Sequence, residues 1–181
     1  FAMVWAFNGG VDVLEWSTGF SWPLFGLVFF GGSFLHLAAN VFNDHFDWKA
    51  GVDQANNDYF LQYSGGSRAI ELGLITEKGL FKLGSFFITL AALCGLGLIL
   101  GPWAAGWDLL LYAGLGALGG YFYTAPPLRL TARKGLGELS IGLLFGPVMT
   151  MGVVYGFSGV HSFEAFLIGI PLGLLTTAIL W

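Results

Sequence analysis

Apolar residues run in blocks long enough to cross a lipid bilayer, and polar residues collect in the gaps between them. The blocks Trp22 to Asn43, Leu80 to Leu100, Leu109 to Thr124, Leu139 to Phe157 and Phe163 to Trp181 each approach the roughly 20 mostly apolar residues that a spanning helix requires. Inside a block the apolar character covers every face, as in Leu90-Ala91-Ala92-Leu93-Cys94-Gly95-Leu96. A strand of a membrane barrel would alternate instead. The pattern predicts an all-α fold, a polytopic transmembrane helical bundle with about five full spans. Phe1 to Phe7 reads as the tail of a further helix and, having no basic segment, not as a signal peptide. Residues 1–181 form one expected domain that continues past both ends.

Composition agrees and excludes a water-soluble domain. The chain is 56% hydrophobic and only 10% charged, with a mean hydropathy of +0.75, well outside the range of soluble proteins. Its 29 glycines suit helices whose backbones approach closely in lipid. The single Cys94 rules out an intrachain disulfide and reads as a packing residue. All seven basic residues, Lys49, Arg68, Lys78, Lys82, Arg129, Arg133 and Lys134, fall in two segments separated by an even number of spans. The other connections carry acidic charge alone, from Asp12, Glu15, Asp108 and Glu164. Because short cytoplasmic loops are enriched in Lys and Arg, the basic face is expected to be cytoplasmic. The lipid bilayer is the expected surrounding, and no nucleic-acid partner is expected.

Polar residues at the end of the first block are not explained by composition. They are His36, Asn40, Asn43, Asp44, His45 and Asp47, followed by Asp53. A helix that continues through Asp47 puts Asn40, Asp44 and Asp47 at i, i+4 and i+7 on one face. Carboxylates at that depth are costly unless they are paired or bind a cation. An all-oxygen donor set without a thiolate suits Mg²⁺, which keeps several waters and takes further ligands from a phosphate. Solvated Asp residues decorating a helix end are the alternative; the spacing and the two Asn residues favour the metal.

Two polar connections face the same way. The segment from Asp53 to Lys82 is too polar to span and holds Tyr63-Ser64-Gly65-Gly66-Ser67-Arg68, Glu71 and a helix start at Thr76-Glu77-Lys78. Gly65-Gly66 can present backbone N–H groups to an anion, and Arg68 adds a bidentate fork. In the second connection Pro126-Pro127 ends the preceding helix, since proline lacks the N–H and disfavours helical geometry before it. Arg129 and Arg133 suit a diphosphate, while Lys134 serves equally well as a positive-inside anchor. Together these groups describe a site for a diphosphate at a membrane surface, with its carbon chain between apolar helices.

At these residues the chain resembles the UbiA superfamily of intramembrane aromatic prenyltransferases. The resemblance runs through Asn40-x-x-Asn43-Asp44-x-x-Asp47 with Asp53, Gly65-Gly66-Ser67-Arg68, and Tyr123-Thr124 through Gly135-Leu136-Gly137-Glu138, covering essentially the whole chain. With Gly51 before Asp53, and with Phe145-Gly146-Pro147, it is most similar to the MenA branch, which prenylates 1,4-dihydroxy-2-naphthoate on the way to menaquinone. The resemblance implies a bundle of about nine spans in a bacterial inner (plasma) membrane, the site facing the cytoplasm. It implies a Mg²⁺-dependent transferase acting on a polyprenyl diphosphate and an aromatic acceptor, by ionisation of the allylic diphosphate and attack of the ring. Asp44 and Asp47 match the catalytic positions, and Asp44, Asp47 and Asp53 those that hold Mg²⁺. Asn40, Asn43, Asp53, Arg68, Tyr123, Arg129, Arg133 and Lys134 match positions expected to contact the diphosphate. The family's second Asp-rich motif is expected beyond Trp181, so these residues alone are expected to be inactive.

Other readings are a different acceptor, namely 4-hydroxybenzoate, homogentisate, chlorophyllide or haem, and, from another class, a transporter. A transporter would carry polar residues at the bilayer midplane, where this chain has only Thr89, Cys94 and Thr150. His36 faces roughly as Asp44 does and suits a phenolic oxygen, though a packed, hydrogen-bonded role is the simpler one. His45 reads as a neighbour of the site and not a ligand, and His161 lies on the opposite side.

Overall fold

A computed structural model describes residues 21–55, 66–102 and 105–179. Among them every regular element is helical: α1 (Trp22–Ala50), α2 (Val52–Ala55), α3 (Glu77–Leu100), α4 (Leu109–Thr124), a 3₁₀ turn (Leu130–Ala132), α5 (Leu136–Leu143), a π-helical turn (Leu144–Val148), α6 (Met149–Ser158) and α7 (Phe163–Ala178). Local chemistry sets the ends. Ser21, Thr76 and Ser162 cap α1, α3 and α7 by accepting the N–H of Leu24, Gly79 and Ala165, each satisfying a donor that the first turn leaves orphaned. Gly51 (φ +75°) and Gly159 (φ +65°) stop α1 and α6 in the left-handed conformation that glycine adopts without strain.

The helices α1 and α3, together with the continuous run Leu136–Ser158, are long and apolar enough to cross a membrane. Of the about five expected spans, these three reach spanning length among the described residues, and α4 and α7 are shorter apolar helices of 16 residues each. At 1.5 Å per residue that is about 24 Å, short of a hydrocarbon core of about 30 Å. Asp108 and the Pro126-Pro127 turn bound α4 on either side. Phe1 to Phe7 lies outside the described residues.

Small residues let the helices meet. A side-chain carbon on Gly84 would come within 3.0 Å of the Phe42 ring, and one on Gly120 within 3.0 Å of Ala39 Cβ, which locks α3 and α4 onto α1. The tightest contact joins Gly142 and Gly146 to Gly169 and Gly173 of α7. A Cβ on Gly146 would stand 2.7 Å from Gly173 Cα, and one on Gly169 would stand 2.5 Å from Pro147 Cα. Small residues four apart on both partners bring the backbones into contact, the arrangement that lipid, lacking a hydrophobic drive of its own, favours. Hydroxyls within the spans turn back on their own helices: Ser85 Oγ donates to Phe81 O, Thr89 Oγ1 to Ser85 O and Thr150 Oγ1 to Gly146 O at 2.8–2.9 Å. These bonds account for Thr89 and Thr150 without a polar path through the bundle.

Chain direction alternates, so all the described basic side chains gather at one mouth: the end of α1, the start of α3 and the connection between α4 and α5. The buried core of Leu24, Leu98, Ile99, Ala105, Leu109, Tyr112 and Tyr155 lies toward the other mouth. There His161 bridges Tyr112 OH (2.7 Å, at Nδ1) and Asp108 Oδ2 (3.1 Å, at Nε2), and its ring lies 4.7 Å from that of Tyr155. His161 thus joins a hydrogen-bonded strap between α4, α6 and α7, opposite the charged mouth.

Candidate functional site

Helix α1 continues past Asn43 to Ala50. At 3.6 residues per turn, His36, Asn40, Asn43, Asp44 and Asp47 therefore share a stripe roughly 100° wide that reaches the charged mouth. Gly51 then breaks the helix, and α2 carries Asp53 in its first turn. The carboxylates are within electrostatic reach of one another: Asp53 and Asp44 repel the charge of Asp47, and Arg129, across the mouth, attracts it. Burial pushes the Asp53 carboxyl above its ordinary range, with Asp44 adding to the rise, Arg68 opposing it and Glu71 contributing least. Among the described residues no three Asp, Glu, His or Cys side chains stand close enough to hold one ion between them. Asp44, Asp47 and Asp53 are thus neighbours and not a ready-made cage. Asp44 is turned to another partner, and Asp53 lies beyond the break at Gly51.

That partner is Ser67. Its backbone N–H donates to Asp44 Oδ2 at 3.3 Å and its hydroxyl donates to the same oxygen. Gly66, at φ +71°, allows the approach: a Cβ there would stand 2.8 Å from Asp44 Oδ1. Gly65 lies outside the described residues. The N–H that this loop is seen to turn toward an anion is that of Ser67, and the anion is a carboxylate of the protein itself. Next in the chain Arg68 is buried at 5% exposure with φ +48°, and its Nη1 donates to Glu71 Oε2 at 2.7 Å. The i, i+3 spacing of Arg68 and Glu71 was the available sequence signal for that pair. No local pattern joins Ser67 to Asp44, 23 residues earlier.

The remaining expected residues divide. Arg129, also at positive φ (+42°), faces Asp47. Tyr123, Arg133 and Lys134 make no side-chain hydrogen bond or ion pair with the described residues; Arg133 and Lys134 are exposed and Tyr123 is half-buried. Asn43 Oδ1 is buried and has no hydrogen-bond partner among the described residues, a costly state for a carbonyl oxygen. Asn40 Nδ2 lies 3.1 Å from His36 Nε2, and the His36 ring meets Phe145 of the π-helical turn edge-on at 5.2 Å. His45 turns away, buried with its ring 5.3 Å from that of Phe81 on α3.

An apolar cleft of about 260 Å³, bordered by Leu35, Phe42, Ile88 and Tyr121 among others, opens between α1, α3 and α4. Leu35 and Phe42 lie roughly 100° around α1 from the polar stripe, so the cleft is separate from it.

The UbiA prenyltransferase family matches residues 3–181. The chain is 29% identical over 159 residues to 1,4-dihydroxy-2-naphthoate octaprenyltransferase of Bacillus subtilis (strain 168), covering 86% of this chain and 47% of that protein. It is 29% identical over 143 residues to 2-carboxy-1,4-naphthoquinone phytyltransferase of Synechocystis sp. (78% of this chain, 42% of that protein). It is 30% identical over 170 residues to the UbiA prenyltransferase domain-containing protein 1 homolog of Drosophila melanogaster (92% of this chain, 44% of that protein). The chain spans a little under half the length of these relatives. No solved structure matches it.

Proposed function

The chain belongs to the UbiA prenyltransferase family, and on that premise we propose that the protein transfers a polyprenyl group from an allylic diphosphate to an aromatic acceptor, 1,4-dihydroxy-2-naphthoate. The observation that carries the reading is the stripe on α1, which brings Asn40, Asn43, Asp44 and Asp47 to a mouth where Arg129 and Arg68 supply positive charge. The names of the bacterial and cyanobacterial relatives, both acting on naphthoate-type rings, support the choice of acceptor. The basic mouth supports an orientation in the plasma membrane with the site toward the cytoplasm.

The residues fit Mg²⁺. Mutually repelling carboxylates, a desolvated Asp53 and the partnerless Asn43 Oδ1 form an all-oxygen donor set. Mg²⁺ is commonly bound by one or two carboxylates plus substrate phosphates, so the lack of a closed cage is in keeping with it. Asp44, Asp47 and Asp53, with Asn43 Oδ1, would hold the ion, which would supply neutralising charge for the departing diphosphate. Arg129 adds fixed positive charge at the same mouth, where negative charge develops as the allylic C–O bond breaks and its electron pair leaves with the diphosphate. Ser67 holds Asp44 in place through its two hydrogen bonds. The acceptor's electron-rich ring carbon forms the new C–C bond, and that carbon then loses a proton, or CO₂ where it bears the carboxylate, leaving the bond's electron pair in the ring to restore aromaticity.

Membranes carrying the full-length protein are expected to transfer a radiolabelled prenyl group to 1,4-dihydroxy-2-naphthoate only with Mg²⁺. Asp44→Ala and Asp47→Ala are each expected to lower transfer by about 10² or more, the usual loss when a charge-stabilising group is removed. Transfer to 4-hydroxybenzoate instead would change the acceptor and keep the mechanism. No transfer to any aromatic acceptor from a folded protein would sink the reading.

A further inference from the structure

The polar stripe does not stop at the groups that suit a diphosphate. One turn deeper than Asn40 stands His36, paired through Nε2 with the Asn40 amide and set edge-on against Phe145. An amide NH₂ only donates, so this pair makes Nε2 the acceptor and leaves the ring proton on Nδ1. Nδ1–H has no hydrogen-bond partner among the described residues. Phe145 belongs to the π-helical turn, next to Pro147; such turns interrupt the regular ladder and recur where proteins build sites. Two independent features of different helices therefore converge at one level of the bundle: an oriented N–H donor and an aromatic wall.

The spacing fits a second substrate. His36 and Asp44 are separated along the axis of α1 by about 12 Å, room for a diphosphate at the Asp level and a fused aromatic ring at the His36 level. Deeper than His36 the only polar side chain of α1 is Ser33, so the ring's oxygens have few other partners there. From this geometry we propose that His36 binds the aromatic acceptor, donating from Nδ1 to a ring hydroxyl, with Asn40 fixing its tautomer and Phe145 bounding the ring. The proposal rests on the transferase reading and names the residue that recognises the second substrate.

Equilibrium binding to the purified full-length protein tests it without turnover. The probes are 1-hydroxy-2-naphthoate, 2-naphthoate, which lacks the hydroxyl, and Mg²⁺ with a non-hydrolysable prenyl diphosphate analogue. His36→Ala is expected to weaken 1-hydroxy-2-naphthoate about tenfold, the loss of one hydrogen bond. It should leave 2-naphthoate and the diphosphate analogue unchanged, and His36→Gln, which keeps a donor, should recover most of the affinity. A merely structural role for His36 would weaken all three probes together or none, and either result overturns the proposal. A wild-type protein that binds the diphosphate analogue but neither naphthoate overturns it and leaves diphosphate recognition standing. One that binds none of the probes removes the transferase reading as well.

Discussion

Adding one methyl group at Gly146 is expected to be among the most damaging changes of its size in the spans. The new Cβ would meet three backbone atoms of α7: the Gly169 carbonyl oxygen, Gly173 Cα at 2.7 Å and Gly173 N at 2.8 Å. Carbon atoms pack at about 3.5–4.0 Å, so roughly 1 Å of separation is missing, and backbone atoms have no rotamer by which to yield. Overpacking costs about 1–3 kcal/mol, and an unyielding neighbour puts Gly146→Ala at the upper end. For a chain of this length each kcal/mol moves Tm by about 2–4 °C, which predicts a fall of about 6–12 °C. The assay is thermal unfolding of the purified protein in detergent, followed by tryptophan fluorescence. Gly114→Ala is the control: that site is helical and has nothing within 4 Å, so Tm should hold or rise slightly as alanine's helix propensity is gained. A Gly146→Ala protein that melts within about 2 °C of the control would refute the backbone contact, because the overlap above leaves no route to so small a cost.

Gly66→Ala should impair the site more than Ser67→Ala, since it adds a Cβ against Asp44 and strains a backbone at φ +71°, whereas Ser67→Ala removes one hydroxyl and keeps the N–H bond. About tenfold in KM for the prenyl diphosphate is expected for Ser67→Ala, and more for Gly66→Ala. Equal effects would show that the loop's backbone conformation is immaterial. At the other mouth, Tyr112→Phe removes the half-buried 2.7 Å bond to His161 and should cost about 1 kcal/mol in thermal unfolding with transfer unchanged. A loss of transfer in a stable Tyr112→Phe protein would tie that strap to the reaction.

Much of this was legible in the sequence because it depends on periodicity and length. The apolar blocks give the spans, and the spacing of Asn40, Asn43, Asp44 and Asp47 gives the stripe as soon as α1 extends past Asn43. The Thr76 cap is equally local. What escaped is tertiary. Nothing near Asp44 announces that Ser67 will take its carboxylate, and the Gly-Gly pair looked like a place for a phosphate because its N–H geometry suits any anion. Spacing alone is equally silent on how the three carboxylates stand: Gly51 turns the chain before Asp53, so they are neighbours and not a closed cage. Arg133 and Lys134 share a loop with Arg129, yet a 3₁₀ turn separates them from Arg129, whose charge reaches Asp47. The π-helical turn at Leu144–Val148 leaves no periodic trace, because a single wide turn shifts the register of one apolar helix without changing its composition.

The glycine clamp reaches further than stability. Phe145 adjoins Gly146, so the aromatic wall opposite His36 is seated on α7 almost without intervening side chains to cushion it. Any tilt of α7 carries that wall with it, while α1 is held separately, by Phe42 against Gly84 of α3 and Ala39 against Gly120 of α4. The edge-on contact of Phe145 with His36 is therefore governed from α7, the helix behind it. On the proposed reading, substitutions at Gly169 or Gly173, on a helix that carries none of the proposed site residues, are expected to shift acceptor preference more than diphosphate binding.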